Sequence, residues 1–180
     1  MSVELKVRFP VDDAELSLLH HKAFNPGSPE AAAPVTPWAA RLERHSLTWA
    51  GAFSAGRLVG FVNAVWDGGA HAFILDTAVH PDFQRLGIGR DLVAAVTAAA
   101  FKAGCDWVHV DYEPHLADFY ESACGFRPTP AGLRSADGHG PGEASLTICG
   151  AFTVPHRAMP PAPAVGTRRS VPHSGPPGCR

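Results

Sequence analysis

Residues 75–90 read LDTAVHPDFQRLGIGR and contain the most informative pattern in the 180-residue chain. A β-rich segment ends at Val79, a His-Pro pair turns the chain, and Gly87 and Gly89 precede a helical pattern. Such a loop directs unpaired backbone amides and the positive end of a helix at one point. Glycine lets an anion approach the backbone, because no Cβ fills the space. The pattern therefore predicts a site for a phosphate or a pyrophosphate.

Two common phosphate-binding motifs fit this loop poorly. A P-loop ends in Gly-Lys-Ser or Gly-Lys-Thr, whereas Arg90 and Asp91 follow Gly89 here. A dinucleotide-binding fingerprint has a third glycine where this chain has Leu92, and it follows the first strand of a domain rather than the fourth. A glycine turn that only begins a helix is the remaining alternative.

The segments upstream of the loop alternate between strand and helix patterns. Val3, Leu5, Val7 and Phe9 alternate as one face of a half-buried strand over residues 3–9. The other predicted elements are a helix from Asp12 or Asp13 to about residue 24, a short helix at 38–44, and strands at 47–53, 58–66 and 70–79. The turn between the strands at 47–53 and 58–66 is typical of a β-hairpin.

Downstream of the loop, apolar residues recur at helical spacing and stop before Gly104. A short strand is predicted at residues 107–110, and a second helix from Pro114 to Gly125. Residues 126–133 predict a weak edge strand, because they contain two prolines, and residues 144–149 predict a last strand. Antiparallel hairpins followed by β-α-β-α-β predict a mixed α/β domain of three layers with a mostly antiparallel sheet.

The end of the chain differs in composition from the rest. Residues 151–180 contain seven of the 17 prolines, four arginines and no acidic residue. The formal net charge of −2 divides into −6 for residues 1–150 and +4 for the remainder. Proline at this density interrupts helices and sheets. We therefore expect one domain at residues 1–150 and a Pro-rich, weakly basic, disordered tail at residues 151–180.

Charge and composition also limit the classes of function. The small net charge favours neither nucleic acid nor an anionic membrane as a partner, and no apolar run approaches the ~20 residues that cross a bilayer. The N-terminus lacks a signal-peptide pattern, so a cytoplasmic protein is expected. The four cysteines form no CxxC pair and predict reduced thiols. His109, Asp111 and His115 are candidate metal ligands, but their spacing does not predict convergence, and no metal is expected.

Two motifs resemble those of the GCN5-related N-acetyltransferase (GNAT) family. The family signature is Gln or Arg, two residues, Gly, one residue, then Gly or Ala, and residues 84–89 read QRLGIG after AVHP at 78–81. Residues 118–127, DFYESACGFR, resemble the second signature, a tyrosine-containing helix that ends in Gly-Phe. The motifs lie one helix and one strand apart, as in the family. The resemblance covers roughly residues 1–133.

The resemblance implies the acyl-CoA N-acyltransferase fold, in which two neighbouring strands splay apart around the pantetheine of acetyl-CoA. It implies that the strand residues Ala78 and Val79 contact pantetheine and that the loop amides hold the pyrophosphate. The implied donor-binding residues are Ala78, Val79, Gln84, Arg85, Leu86, Gly87, Ile88, Gly89, Arg90 and Asp118. Many relatives have an asparagine at the position of Asp118. Acetyl-CoA is thus the expected acyl donor, and a homodimer is compatible with the fold.

The chemistry of amide formation needs a base for the amine and an acid for the departing thiolate. Tyr120 matches the tyrosine to which the family assigns the acid role, and the amide of Val79 is the expected oxyanion donor. Glu113 and Asp76 are the candidate bases. The acceptor is an unidentified amine on a small molecule or a protein. We expect four aromatic residues to fill the core rather than to line the pocket for the acceptor: Phe24, Trp38, Trp49 and Trp66.

Two other functions remain open. A non-catalytic acyl-CoA-binding or sensing module of the same fold would bind CoA without turnover. An interaction protein that works through the basic tail would not depend on Gly87. The flexible pattern at residues 134–142, where the family usually has a strand, leaves open how the sheet is completed.

Overall fold

The computed structural model describes residues 2–30 and 33–133 of the chain. The domain boundary expected at residue 150, the strand expected at residues 144–149 and the tail expected at residues 151–180 lie outside the described residues. The described part contains the five strands β1 (Val3–Val7), β2 (Ser46–Ser54), β3 (Arg57–Trp66), β4 (His71–Val79) and β5 (Trp107–Val110). It also contains the helices α1 (Asp13–Phe24), α2 (Trp38–His45) and α3 (Ile88–Ala103).

The five strands form one sheet in sequence order, β1-β2-β3-β4-β5. The first four strands are antiparallel, whereas β5 runs parallel to β4. The hairpin between β2 and β3 turns at Ala55 and Gly56, whose φ angles of 48° and 81° are those of a primed turn. The mixed, mostly antiparallel sheet agrees with the class predicted from the sequence.

Helices cover both faces of the sheet. On one face α3 buries Leu92, Val93 and Val96 against β2, β3 and β4. On the other face α1 buries Leu16 and Leu19 together with Trp38 and Leu42 of α2. Asp12 caps α1 as expected, because its carboxylate accepts a hydrogen bond of 2.8 Å from the Glu15 amide. The domain thus has three layers, and β4 contacts α1 on one face and α3 on the other.

Strand β1 differs from its predicted pattern. Leu5 and Val7 are 41% and 50% exposed, although the alternation placed them on a buried face. The strand pairs only with β2 among the described strands and ends at Val7. Arg8 then adopts a left-handed φ of 51°, which breaks the alternation. Phe9 is consequently buried in the cluster that α1 and α2 form.

The helix predicted from Pro114 to Gly125 is not a regular α-helix. A 3₁₀ turn spans Pro114–Leu116, and a π-helical segment spans Asp118–Ala123. The Cys124 amide donates to the Phe119 carbonyl at 3.0 Å, a spacing that inserts one residue relative to an α-helix. Gly125 has the left-handed φ of 77° expected at the helix end. The prediction of a strand at residues 126–133 was wrong, because this part of the structure contains no strand. Its two prolines lack the amide donors that a strand uses.

Candidate active site

The loop between β4 and α3 presents a row of free backbone amides. A 3₁₀ turn at Pro81–Phe83 reverses the chain, and Arg85 and Gly87 adopt left-handed φ angles of 61° and 82°. The first bond of α3 is made by the Asp91 amide to the Gly87 carbonyl at 3.1 Å. The amides of residues 85–90 donate to no backbone or side-chain acceptor in the described chain. They surround the N-terminus of a 16-residue helix, which suits an anion.

The two glycines of the loop have different structural roles. Gly87 needs its freedom because its φ is positive, although a Cβ there would meet only the Arg90 side chain, at 3.5 Å. Gly89 lies in a narrow place: a Cβ there would be 3.1 Å from the Phe119 ring and 3.6 Å from Val79. Gln84 braces the loop by donating from its side-chain amide to the Val79 carbonyl at 3.2 Å. The loop is therefore shaped by contacts to the end of β4.

Strands β4 and β5 separate at this end of the sheet. Their pairing runs from His71 with Trp107 to Ile74 with Val110 and then stops. The His80 amide donates to Val59 of β3 at 2.9 Å. Because successive amides of a strand point to opposite sides, the Val79 amide points away from β3 and into the gap. Ala78 and Val79 thus line the separation, next to the free amides of the loop.

Tyr120 lies beside this gap on the face of α3. Its side chain is buried among Tyr112, Phe119 and Phe126, with the Tyr112 ring stacked at 5.1 Å. Burial raises the pKa of the Tyr120 phenol, and the neighbouring Thr77 hydroxyl partly opposes that rise. The Thr77 oxygen is itself buried without a well-formed hydrogen bond among the described residues. A phenol in this setting stays protonated at neutral pH and can donate a proton.

Asp76 lies on the opposite face of the sheet. The register of β3 and β4 shifts between Phe61 and Asn63, so that β4 has one extra residue here, and Asp76 adopts a left-handed φ of 55°. Its carboxylate lies 3.2 Å from the Arg41 guanidinium and 3.5 Å from His20 Nε2. Burial alone would raise the pKa of Asp76, but the His20 contact and the Arg41 charge together lower it below its usual value.

The side chains of four other predicted site residues do not contact this arrangement. Glu113 and Asp118 are exposed, and no hydrogen bond joins either side chain to another described residue. Arg85 is exposed, and Arg90 donates to its neighbour Asp91 at 2.8 and 2.9 Å. The structure therefore brings together the end of β4, the glycine loop and Tyr120 on one face, with Asp76 on the other.

Several residues near the site were missed by sequence reasoning. Thr77 was read only as part of a strand, and Phe119 only as part of a motif. His20 follows buried Leu16 by one helical turn, so a polar residue on the inner stripe of α1 was a signal that went unused. Arg41 offered no signal at all.

The aromatic residues expected in the core divide into two pairs. Trp38 and Trp49 are both 3% exposed, as expected, whereas Phe24 and Trp66 are 49% and 41% exposed, against expectation.

Burial raises the pKa of Cys124 while the charge of Arg90 lowers it, and the net rise favours the neutral thiol. Within residues 2–30 and 33–133, no group of three potential ligands converges on a metal site. No helix of the described chain is long and apolar enough to cross a membrane.

Comparisons with known proteins agree with this geometry. A model described as the acetyltransferase (GNAT) family matches residues 14–126. An uncharacterized N-acetyltransferase, ycf52, from Porphyra purpurea is 36% identical over 81 residues, which are 45% of this chain and 46% of that protein. The rice protein (Oryza sativa subsp. japonica) named serotonin N-acetyltransferase 2, chloroplastic, is 32% identical over 96 residues, 52% of this chain and 48% of that protein. The chain thus spans about half the length of these curated relatives.

Solved structures show the same fold. The aminoglycoside N-acetyltransferase AAC(6')-Iy, solved with a bisubstrate analog of CoA, superposes with a TM-score of 0.55 at 20% identity. The superposition covers 75% of this chain and 97% of that one. The predicted acyl-CoA N-acyltransferase fold is therefore confirmed. Because the family match includes more than half of the residues, with the first motif and the second as far as Phe126, this chain belongs to the acetyltransferase (GNAT) family.

Proposed function

We propose that this protein transfers the acetyl group of acetyl-CoA to an amine by direct attack on the thioester. The observation that supports this proposal most strongly is the row of free amides at residues 85–90 directly beside the gap between β4 and β5. A donor with a pyrophosphate and an extended arm fits these two features together. The related AAC(6')-Iy was solved with a CoA-based analog.

In the proposed complex the pyrophosphate accepts hydrogen bonds from the loop amides at the start of α3. The pantetheine arm extends into the gap along Ala78 and Val79. Gln84, Leu86 and Ile88 act through the shape of the loop, and Gly89 keeps open the crevice next to Phe119. Asp118 lies at the start of the π-helical segment and is the weakest of the proposed donor contacts, because its carboxylate is exposed.

The proposed chemistry assigns one group each to the oxyanion, the departing thiolate and the proton of the amine. The Val79 amide points into the gap and would donate to the oxyanion that forms on the acetyl carbonyl. Tyr120, whose raised pKa keeps it protonated, would donate its proton to the departing thiolate. A base on the acceptor side would take the proton of the amine. Asp76 and Glu113 are the two carboxylates proposed from the sequence, and only Asp76 is enclosed by other side chains.

Titration calorimetry with acetyl-CoA tests the donor site. Gly87→Asp should abolish saturable binding, because it adds a negative charge and a strained φ at the centre of the amide row. Gly68→Asp is the matched control: Gly68 also has a positive φ, of 78°, with no atom near its missing Cβ, but it lies in the turn between β3 and β4. Equal affinity of wild type and Gly87→Asp would contradict the proposed donor site.

The acceptor is tested by measuring CoA release with a panel of primary amines. Serotonin, suggested by the name of the rice relative, and n-butylamine, spermidine and a lysine-containing peptide form a first panel. CoA release that requires an amine and yields its N-acetyl product supports the transferase. Tight acetyl-CoA binding without transfer to any amine would support the non-catalytic module instead.

A further inference from the structure

At the point where β4 separates from β5, one face of the sheet presents hydroxyl groups and the other presents a charged carboxylate. Thr77 and the buried phenol of Tyr120 are together on the face of α3. The preceding residue, Asp76, is turned by the bulge to the face of α1 and α2, where it contacts His20 and Arg41. The cluster around Tyr120 and helix α3 cover the first face at this point, so the second face is the one left for an attacking amine. The proton of the amine is therefore released near Asp76 and its neighbours.

Asp76 is poorly suited to be the base itself. One carboxylate oxygen faces Arg41 at 3.2 Å and the other faces His20 at 3.5 Å. The Asp76 side chain is only 16% exposed, and its lowered pKa makes it a weak proton acceptor. Its negative charge is also balanced by Arg41, so the pair offers little attraction to an ammonium ion. Such a carboxylate is suited to orient a neighbour and to stabilise that neighbour's positive charge.

His20 is the neighbour that Asp76 orients. Its side chain is 31% exposed, so it is reached by solvent as well as by the carboxylate. The imidazole packs between the Phe24 ring at 4.4 Å and the Trp38 ring at 5.1 Å, and these contacts restrict its rotation. Asp76 on β4 is the charged group that it contacts in the described chain, and Arg41 on α2 contacts the other oxygen of that carboxylate. Imidazole is the side chain best matched to proton transfer at neutral pH.

We propose that His20 is the general base of the transfer reaction and that Asp76 is its positioning residue. This inference rests on the proposed acetyl transfer. With Nε2 directed at Asp76, Nδ1 accepts the proton of the amine, directly or through one water. The acceptor approaches along the side where Phe24 is exposed.

In the proposed reaction one bond forms, one bond breaks and two protons move. The amine nitrogen attacks the acetyl carbon, the C–N bond forms, and one N–H proton moves to His20. The C–S bond breaks, and the thiolate takes the proton of Tyr120. His20 then loses its proton to water and Tyr120 regains one, so that an amine and acetyl-CoA become an N-acetyl amine and CoA.

The test compares kcat/KM of wild type and His20→Gln across pH, with acetyl-CoA and serotonin, or the amine of the panel that reacts fastest. At pH 7 the variant should be slower by about 10²-fold, the smaller end of the range for loss of a general base. The difference should shrink as pH rises, because hydroxide in solution can then take the N–H proton of the attacking amine in place of His20. Affinity for acetyl-CoA should be unchanged, since His20 does not contact the donor loop.

A second variant separates chemistry from folding. In His20→Ala, added imidazole should restore a large part of the lost rate, whereas a purely structural defect would not respond to imidazole. His45→Gln, an exposed histidine of α2, is the matched control and should behave as wild type. An unchanged kcat/KM in a folded His20→Gln protein, or a loss that is the same at every pH and is not restored by imidazole, would overturn the assignment of His20 while the transferase stands. A wild type that transfers to no amine would overturn both.

Discussion

The donor side and the acceptor side of this protein are built from different kinds of group. On the donor side the proposed contacts are backbone amides, at residues 85–90 and at Val79, and their positions follow from a loop and a strand end. On the proposed acceptor side the groups are side chains of three separate elements, His20 of α1, Arg41 of α2 and Asp76 of β4. The bulge in β4 turns Asp76 to the face of α1 and α2, so that these side chains lie on the face of the sheet opposite Thr77 and Tyr120.

This difference has a consequence for specificity. A backbone site tolerates side-chain changes that preserve φ and leave the amides accessible, so a common donor can be retained while other surfaces diverge. A site made of three side chains changes whenever one of them changes. The donor side is thus the constant part of the proposed reaction and the acceptor side the variable one. Substitutions on the two sides should therefore affect different measured quantities.

The largest effect is expected at Tyr120, the residue of the donor side that is proposed to act as the acid. Tyr120→Phe removes the proposed acid without changing the ring, and kcat should fall by about 10²-fold or more while acetyl-CoA affinity stays the same. Tyr112→Phe makes the same change on the ring stacked against it, whose hydroxyl instead donates to Glu121 at 2.9 Å. Stopped-time assays of N-acetyl product measure both. Equal rates for the two variants would refute the acid role.

A smaller effect, on stability, is expected at Asp76. Despite its burial, the contacts with His20 and Arg41 keep its pKa in the folded protein below the usual value. Its charge therefore stabilises the fold above the unfolded pKa, ~3.9, and this stabilisation is lost as pH falls through the folded value. Asp76→Asn should lower the free energy of unfolding by about 1–3 kcal/mol at pH 7.

Urea denaturation at pH 7 and at successively lower pH measures this difference. The two unfolding curves should approach one another as wild-type Asp76 becomes protonated. Asp82→Asn is the control, because Asp82 is 82% exposed at the start of the donor loop. A wild-type advantage that stays constant down to pH 3 would show that the Asp76 charge does not stabilise the folded state.

The two sides also differ in how far the sequence predicts them. Gly87 and Gly89 were predicted because a local spacing specifies a local backbone shape, whereas Tyr120 was implied by the resemblance to the family. The structure places all three around one gap. The acceptor side depends on contacts between distant positions: Arg41 lies 35 residues from Asp76. No periodicity predicts which helix residue meets a bulge, so His20 and Arg41 were not found.

The misjudged elements have local causes that ordinary patterns do not include. A single left-handed residue, Arg8, ended the alternation of β1, and a one-residue insertion turned the predicted helix after Pro114 into a π-helical segment. The order of strands and helices along the chain, the three regular helices and the hairpin were predictable, because each depends on a period or a turn signal over many residues. Features that depend on one residue were not.

The smallest effect is expected at Arg90, and it tests whether the donor side is truly made of backbone. Its guanidinium is 57% exposed and already donates twice to Asp91, so its charge is partly balanced before any phosphate binds. Arg90→Gln should weaken acetyl-CoA binding by about two- to fivefold, less in high salt, as expected for an exposed charge. Arg44→Gln, an exposed arginine of α2, should have no effect on that affinity. A loss of more than about thirtyfold for Arg90→Gln, roughly 2 kcal/mol, would mean that a side chain rather than the amide row holds the pyrophosphate. The contrast between a backbone donor side and a side-chain acceptor side would then fail.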